Sequence, residues 1–329
     1  MDSSAELLNP WQQRFPLERT PFAAIAAATG RPAPELLAAF REAQRSGALS
    51  RIGGIFGAGA GGAGLLVAMA VPPARLDTVA VRVSAEPQVN HNYEREHTLN
   101  LWFVVNAADA AAVELVVTRL EHATGLAALR LPLLRPYRID LGFDLRARTA
   151  PEAMAPQRRA PAVPAADRPL AALVEQGLPL VARPYDLWAR ELGREPEAVL
   201  ATLGGWLIDG TLKRFGAIVR HHELGFAANA MAVFDVPDGE VDARGDTLAQ
   251  VPGVTLAYRR ARGEGWPFNL YCMVHGRDRD AVHAVLERAA VAAGLQQVPR
   301  SVLFSCRRFK QTGASRFGAP VLESAHAHA

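Results

Sequence analysis

The sequence predicts an α+β protein: a tandem repeat of two units, each a winged helix-turn-helix followed by a ferredoxin-like β-α-β-β-α-β module. Three observations carry that reading. The chain repeats itself, each copy opens on two helical periods, and each copy then alternates strands and helices in one order. The repeat is collinear. Phe15-Pro16-Leu17 and Pro21-Phe22 recur as Leu178-Pro179-Leu180 and Pro184-Tyr185, Gly30 and Gly47 as Gly193 and Gly210, and Arg51-Ile52-Gly53 as Arg214-Phe215-Gly216, all offset by 163 residues. Farther on, Tyr93 recurs as Tyr258 at an offset of 165, and Asn100-Leu101-Trp102 as Asn269-Leu270-Tyr271 at 169. The added residues fall between Arg260 and Asn269, where Gly263, Gly265 and Pro267 mark a longer turn.

In the first unit, residues 18–50 show helical apolar spacing, with Phe22, Ile25 and Ala26, then Leu36, Leu37 and Phe40. A Thr-Gly-Arg-Pro turn divides the two helices and Gly47 ends the second. A wing-like strand is expected at 51–56, then a strand at 65–71, a helix at 73–85, two strands within 89–106, a helix at 108–124 and a last strand at 129–143. The expected domains are therefore a helix-turn-helix over 1–60, a ferredoxin-like domain over 61–144, a second helix-turn-helix over 171–225 and a second ferredoxin-like domain over 226–317. Residues 145–170, rich in Ala, Pro and Arg without an amphipathic period, read as a linker, and 318–329 as a disordered tail. Helices cover one face of each sheet, and the other copy is the natural cover for the second face.

Composition narrows the function classes. The chain has 329 residues, half of them hydrophobic and about a fifth charged, which suits a globular protein of two or more domains. The start, MDSSAELLNPWQQ, has no apolar signal core, and no apolar run is long enough to span a membrane, so a cytoplasmic location is expected. Cys272 and Cys306 form no CxxC pair and fit reduced thiols better than a disulfide or a zinc site. The net charge of +3 neither demands nor excludes nucleic acid. A DNA-reading helix needs cations, and residues 197–209 (EAVLATLGGWLID) contain none, so DNA is not the expected partner. The GAGAGGAG run at 57–64 matches the dinucleotide spacing, but a strand follows it where a helix is required, so it reads as a connector.

The chemistry concentrates in VNHNYEREHTLNLWFVVN, residues 89–106. Strand side chains alternate between faces, so an extended 90–97 would put His91, Tyr93, Arg95 and His97 on one face. Two imidazoles, a phenol and a guanidinium in one row suit an anionic ligand and proton transfer; the plain alternative is an exposed polar hairpin.

RIGGIF, VNHNYEREHTLNLWF and LPLLRPYRI resemble the first-type subunit of siroheme decarboxylases. KRFGAIVRHHELGF, NAMAVFDVP, VTLAYRRARGEGWPFNLYCMVHG and RRFKQTGA resemble the partner subunit. Both subunit types have the Lrp/AsnC-like fold, and the fused order is similar to the NirDL type of heme d1 formation. The resemblance implies removal of carbon dioxide from the acetates at C12 and C18 of siroheme, giving didecarboxysiroheme, with no redox cofactor; the iron belongs to the substrate. It further implies a homo-oligomer built through the ferredoxin-like sheets, and contact with other heme d1 biosynthesis proteins.

Siroheme is a planar iron macrocycle with eight carboxylates, so its site should be apolar in the middle and cationic at the rim. On this reading His91 is the proton donor, Tyr93 hydrogen-bonds near it, Arg95 holds a carboxylate, and His97 is a second acid or an iron ligand. The substrate-binding set is expected to include Arg51, Trp102, Arg135 and Arg138 from the first copy. From the second it includes Arg214, His221, His222, Tyr258, Arg259, Arg260, His275, Arg307, Arg308 and Lys310. No resident metal is expected. Leu256 stands where His91 would recur, so one productive site built from both copies is expected. The other functions weighed are an Lrp/AsnC-like transcriptional regulator and a non-catalytic tetrapyrrole carrier.

Overall fold

The computed structural model describes residues 7–57, 59–139, 160–219 and 228–318. The first half runs α1 (Pro21–Thr29), α2 (Ala33–Arg45), β1 (Leu49–Phe56), β2 (Ala63–Met69), α3 (Leu76–Ala85), β3 (Val89–Arg95), β4 (Leu101–Ala107), α4 (Ala110–Thr124) and β5 (Ala128–Ile139). The second runs α5 (Arg168–Gln176), α6 (Pro184–Leu192), α7 (Pro196–Asp209), β6 (Leu212–Val219), β7 (Ala228–Phe234), α8 (Val241–Leu248), β8 (Val254–Arg260), β9 (Leu270–Gly276), α9 (Arg279–Ala292) and β10 (Arg300–Gln311).

The repeated residues do repeated structural work. Pro21 and Pro184 open a helix where the missing N–H would have no partner, and Gly30 and Gly193 close it at φ +69° and +62°. Asp109 and Asp278 accept the N–H of Ala112 and Ala281, capping α4 and α9. Asn100 bonds both the N–H and C=O of Val71, and Asn269 does the same for Val236. Each asparagine thereby fixes the chain leaving the first strand of its module against the strand it precedes. That explains why Asn-Leu-aromatic survives in both copies.

Each module orders its strands as β3-β4-β2-β5 and β8-β9-β7-β10, but the two sheets do not remain separate. The twelve-residue last strands bridge them. β5 pairs β2 through residues 128–132 and β8 through 133–139, while β10 pairs β7 through 300–304 and β3 through 305–311. The result is a closed eight-stranded barrel, in which none of the eight strands is left as an edge. All neighbours are antiparallel, so β3 and β8, four places apart, run in the same direction. His91 and Leu256 therefore mark one end of the barrel, and Arg95 and Arg260 the other.

The wing-like strand expected at 51–56 is β1, and it pairs with β6 across the halves. One boundary is corrected. Expected linker residues 160–170 are packed: Ala160 and Val163 join the core of the N-terminal helices, and α5 begins at Arg168. Residues 145–159 and 319–329 lie outside the described residues. The inner sheet faces of the two copies cover each other, as expected of the second copy: Trp102, Met231, Tyr258, Trp266, Tyr271 and Leu303 fill the barrel from both. Among the described residues no helix is long and apolar enough to cross a membrane.

Candidate functional site

β3 places the central row. Asn92, on its outer face, donates to Ala80 O and Ser84 Oγ of α3, so the helix side is fixed and His91, Tyr93 and Arg95 point into the barrel. His91 and Tyr93 stack with centroids 6.1 Å apart and planes at 20°, in place of the expected hydrogen bond. The Arg95 guanidinium lies 5.8 Å from the Tyr93 ring centroid and is 7% exposed. It donates to Leu303 O at 3.0 Å and Met273 Sδ at 3.9 Å, both from the second copy.

That copy mirrors the arrangement. Tyr258 stacks on Tyr271 at 5.5 Å, and Arg260 lies 4.7 Å over Tyr258 while donating to Leu131 O of the first copy at 2.7 Å. Each copy thus lends a main-chain oxygen to the other's arginine. Where His91 has Leu256 as its counterpart, the imidazole is absent and the symmetry breaks.

His97 does not join the row. The strand ends at Arg95, and the turn carries His97 to the Trp266 side, with ring centroids 5.3 Å apart. Its Nδ1 accepts the Leu99 N–H at 3.0 Å. It lies beyond the end of β3, so the alternation that aligns His91, Tyr93 and Arg95 does not reach it. A role as second acid or iron ligand beside His91 is therefore corrected to a turn-forming one.

The cations separate into two sets. Arg135 pairs with Asp242 at 3.0 Å and Asp246 at 3.1 Å, Arg259 with Asp238 at 3.2 Å, and Arg307 with Asp77 at 2.7 Å and with Glu94. Lys310 caps the end of α3 by donating to Ser84 O and Glu86 O. Arg138 donates to Ala249 O, and Arg214 to Gln12 O. These six were expected on substrate, but Arg135, Arg138, Arg259, Arg307 and Lys310 lie on the helix side, with register shifts between Pro136 and Arg138 and between Arg308 and Lys310 keeping both members of each strand's pair there, and an N-terminal segment covers Arg214. Trp102 is 2% exposed, donates to Leu99 O and packs on Trp266, so it belongs to the barrel filling.

The second set, Arg51, Arg95 and Arg260, forms no carboxylate ion pair among the described residues. The Nε of Arg51, like that of Arg260, is buried without a hydrogen-bond partner among the described residues, and the Arg51 counter-charge is supplied at longer range by Glu175. Arg51 also borders open space. It lines a cleft of about 330 Å³ with Ser50, Glu175, Thr312, Gly313 and Ser315, which falls at the small end of ligand sites. Arg308 is exposed on β10, in register with Tyr93, and bonds Gln311. His275 stands at the His91 end of the barrel against Thr255 Oγ1, at 3.1 Å. His221 and His222 lie outside the described residues.

Burial, assisted by the positive charge of Arg51, pushes His91 down to about 4. Burial also raises the Tyr93 phenol, against the pull of Arg95 and Arg308. Without ligand, the site thus holds a neutral imidazole beside a neutral phenol. A histidine depressed on folding stabilises fully above the unfolded value near 6.5 and loses that contribution as pH falls to about 4. Unfolding followed by urea is expected to show stability falling by up to about 3 kcal/mol over that window, and His91→Gln to flatten the decline. An unaltered slope in His91→Gln would place the depressed group elsewhere.

Sequence reasoning missed Glu175 and the crossing of residues 312–317 onto the first half. Arg168-Pro169 followed by Leu170, Leu173, Val174 and a terminal Gly177 is a helix signature, and it could have revealed α5. The contacts of Glu175 across about 140 residues leave no local signal.

The family model described as an AsnC-like ligand binding domain matches residues 60–138 and 223–310. A siroheme decarboxylase NirDL subunit of Paracoccus denitrificans is 40% identical over 315 residues, covering 95% of this chain and 97% of that protein. The crystal structure of the siroheme decarboxylase NirDL superposes with a TM-score of 0.68 at 26% identity, covering 96% of this chain and 95% of that one. Its co-complex with an iron-uroporphyrin III analogue superposes at 0.67, also at 26% identity, covering 96% and 93%.

Proposed function

Because the chain belongs to the siroheme decarboxylase family of NirDL type, within the AsnC-like class, we propose that it removes carbon dioxide from the C12 and C18 acetates of siroheme. The product is 12,18-didecarboxysiroheme, on the route to heme d1. We read its halves as winged helix-turn-helix plus ferredoxin-like units whose function has moved from regulation to catalysis. Of the cations on α2, Arg41 donates to Leu180 O and Arg45 pairs with Glu42, and α7 has none, so DNA contact is no part of the reading.

One observation carries the proposal: Arg51, Arg95 and Arg260 form no carboxylate ion pair among the described residues, while Arg135, Arg259 and Arg307 on the helix side are each paired with one. A polycarboxylate is the ligand that completes such a lining. The reaction needs no electron donor or acceptor. The bond between the acetate methylene and its carboxylate breaks, carbon dioxide leaves, and the electron pair stays on the methylene carbon, where the conjugated ring spreads it. A proton then closes the carbon as a methyl group. The protein's tasks are to hold the carboxylates that stay, to strip water from the one that leaves, and to deliver the proton.

We assign its delivery to His91. Arg51 and burial keep the imidazole neutral, and a substrate carboxylate reaching Arg51 cancels that repulsion and raises its proton affinity. Tyr93, stacked beside it and protonated at neutral pH, is the natural second donor. With Leu256 in the equivalent place, we assign one proton-delivering centre per chain.

Anaerobic incubation of the chain with siroheme is expected to yield a tetrapyrrole lighter by two molecules of carbon dioxide. A Soret shift on mixing without any mass loss would make the protein a carrier and overturn the proposal.

A further inference from the structure

Glu175 takes no part in the chemistry above, yet it is only 7% exposed and lines the Arg51 cleft. It stands on α5, which docks on β1 so closely that a Cβ at Gly53 would come within 2.7 Å of Val174 O, and one at Gly54 within 2.5 Å of Val174 Cγ1. The carboxylate is therefore rigidly mounted. Its Oε2 accepts the main-chain N–H of Arg316 at 2.8 Å and of Phe317 at 3.0 Å.

Those two residues belong to the segment that follows β10 and crosses onto the first half. Thr312 donates its N–H to Asn90 O at 2.8 Å, Arg316 Nε donates to Asn106 Oδ1 at 3.3 Å, and the Phe317 ring rests 4.7 Å from Phe56. In its middle, Gly313 lies so close to Arg51 that a Cβ there would stand 2.6 Å from Nη1 and 2.7 Å from Cζ. The strap has no regular secondary structure after β10, and a chain end of that kind frays unless it is tied down. A charged acceptor with two main-chain donors is a strong tie.

We infer that Glu175 is a positioning residue of the decarboxylation site: by pinning residues 312–317 it holds the Arg51 guanidinium against Gly313 and beside His91. The inference deepens the functional reading above and rests on it.

The test uses the full-length chain, siroheme under anaerobic conditions, and the variants Glu175→Ala and Glu175→Gln. Alanine releases the strap, and KM is expected to rise at least about tenfold, with kcat changed far less. Glutamine still presents an oxygen to both N–H groups and should return KM to within a few-fold of the parent. A second readout needs no siroheme. Arg51 is the charged group acting on His91, whose other neighbours are the neutral Tyr93 and Gln311. The His91 imidazole, followed by NMR, should therefore titrate higher in Glu175→Ala than in the parent or in Glu175→Gln.

Parental KM and His91 titration in a folded Glu175→Ala variant would overturn the inference, as would a glutamine variant as impaired as alanine. Should Glu175→Ala fail to fold, Gly313→Ala displaces Arg51 without touching the carboxylate and is judged by the same two readouts. If the parent chain released no carbon dioxide from siroheme, the functional reading would fall, and the ligand-free titration would still decide the role of Glu175.

Discussion

Replacing His91 by alanine is expected to slow carbon dioxide release by about 10²- to 10⁴-fold, the usual contribution of a placed general acid, while siroheme still binds. The split follows from the geometry. His91 stacks on Tyr93 and makes no hydrogen bond to a neighbouring charge among the described residues, so its loss leaves Arg51, Arg95 and Arg260 where they are. Binding through those three should persist, with the Soret titration close to that of the parent. The deficit should fall on protonation of the ring-stabilised carbanion, and in heavy water the parent should place solvent deuterium in the new methyl groups. Turnover at the parental rate in His91→Ala would transfer the proton delivery to Tyr93 or to water.

Much of this was legible in the residues, for a physical reason. Strand alternation fixes which side chains share a face, so His91, Tyr93 and Arg95 could be placed together before any coordinates. The same rule failed at His97 because it holds only while the strand continues, and the chain turns after Arg95. Counting arginines near strand ends overestimated the site. Arg135, Arg259 and Arg307 have the right composition but sit on the helix side, where Asp242, Asp238 and Asp77 neutralise them. Which face a charge occupies could be read from periodicity; which charge has a partner depends on helices far away in sequence. The barrel was hidden for a related reason. Each module's β-α-β-β-α-β order was visible, but the bridging by β5 and β10 depends on twelve-residue strands outrunning their own sheets, and strand ends are the least defined part of a sequence pattern.

Arg51 tests whether that unneutralised lining exists for a ligand or is an accident of packing. Arg51→Met keeps the length and apolar stem of the side chain and removes the charge. If the guanidinium receives a substrate carboxylate, losing a charge-assisted hydrogen bond of about 1.5–3 kcal/mol should raise KM for siroheme by about 10- to 100-fold. Stability should move the other way. Arg51 has a buried Nε without a hydrogen-bond partner among the described residues, and the cost of its burial is offset at longer range by Glu175. Glu175 meanwhile keeps both of its main-chain donors. Exchange for methionine should therefore leave unfolding free energy unchanged or raise it by about 1 kcal/mol. His91, relieved of the neighbouring cation, should titrate closer to an ordinary imidazole. A structural arginine would give the opposite pattern, a lower melting temperature with KM unmoved. A stabilised protein that binds siroheme poorly is the result that identifies a cation held in reserve for the substrate.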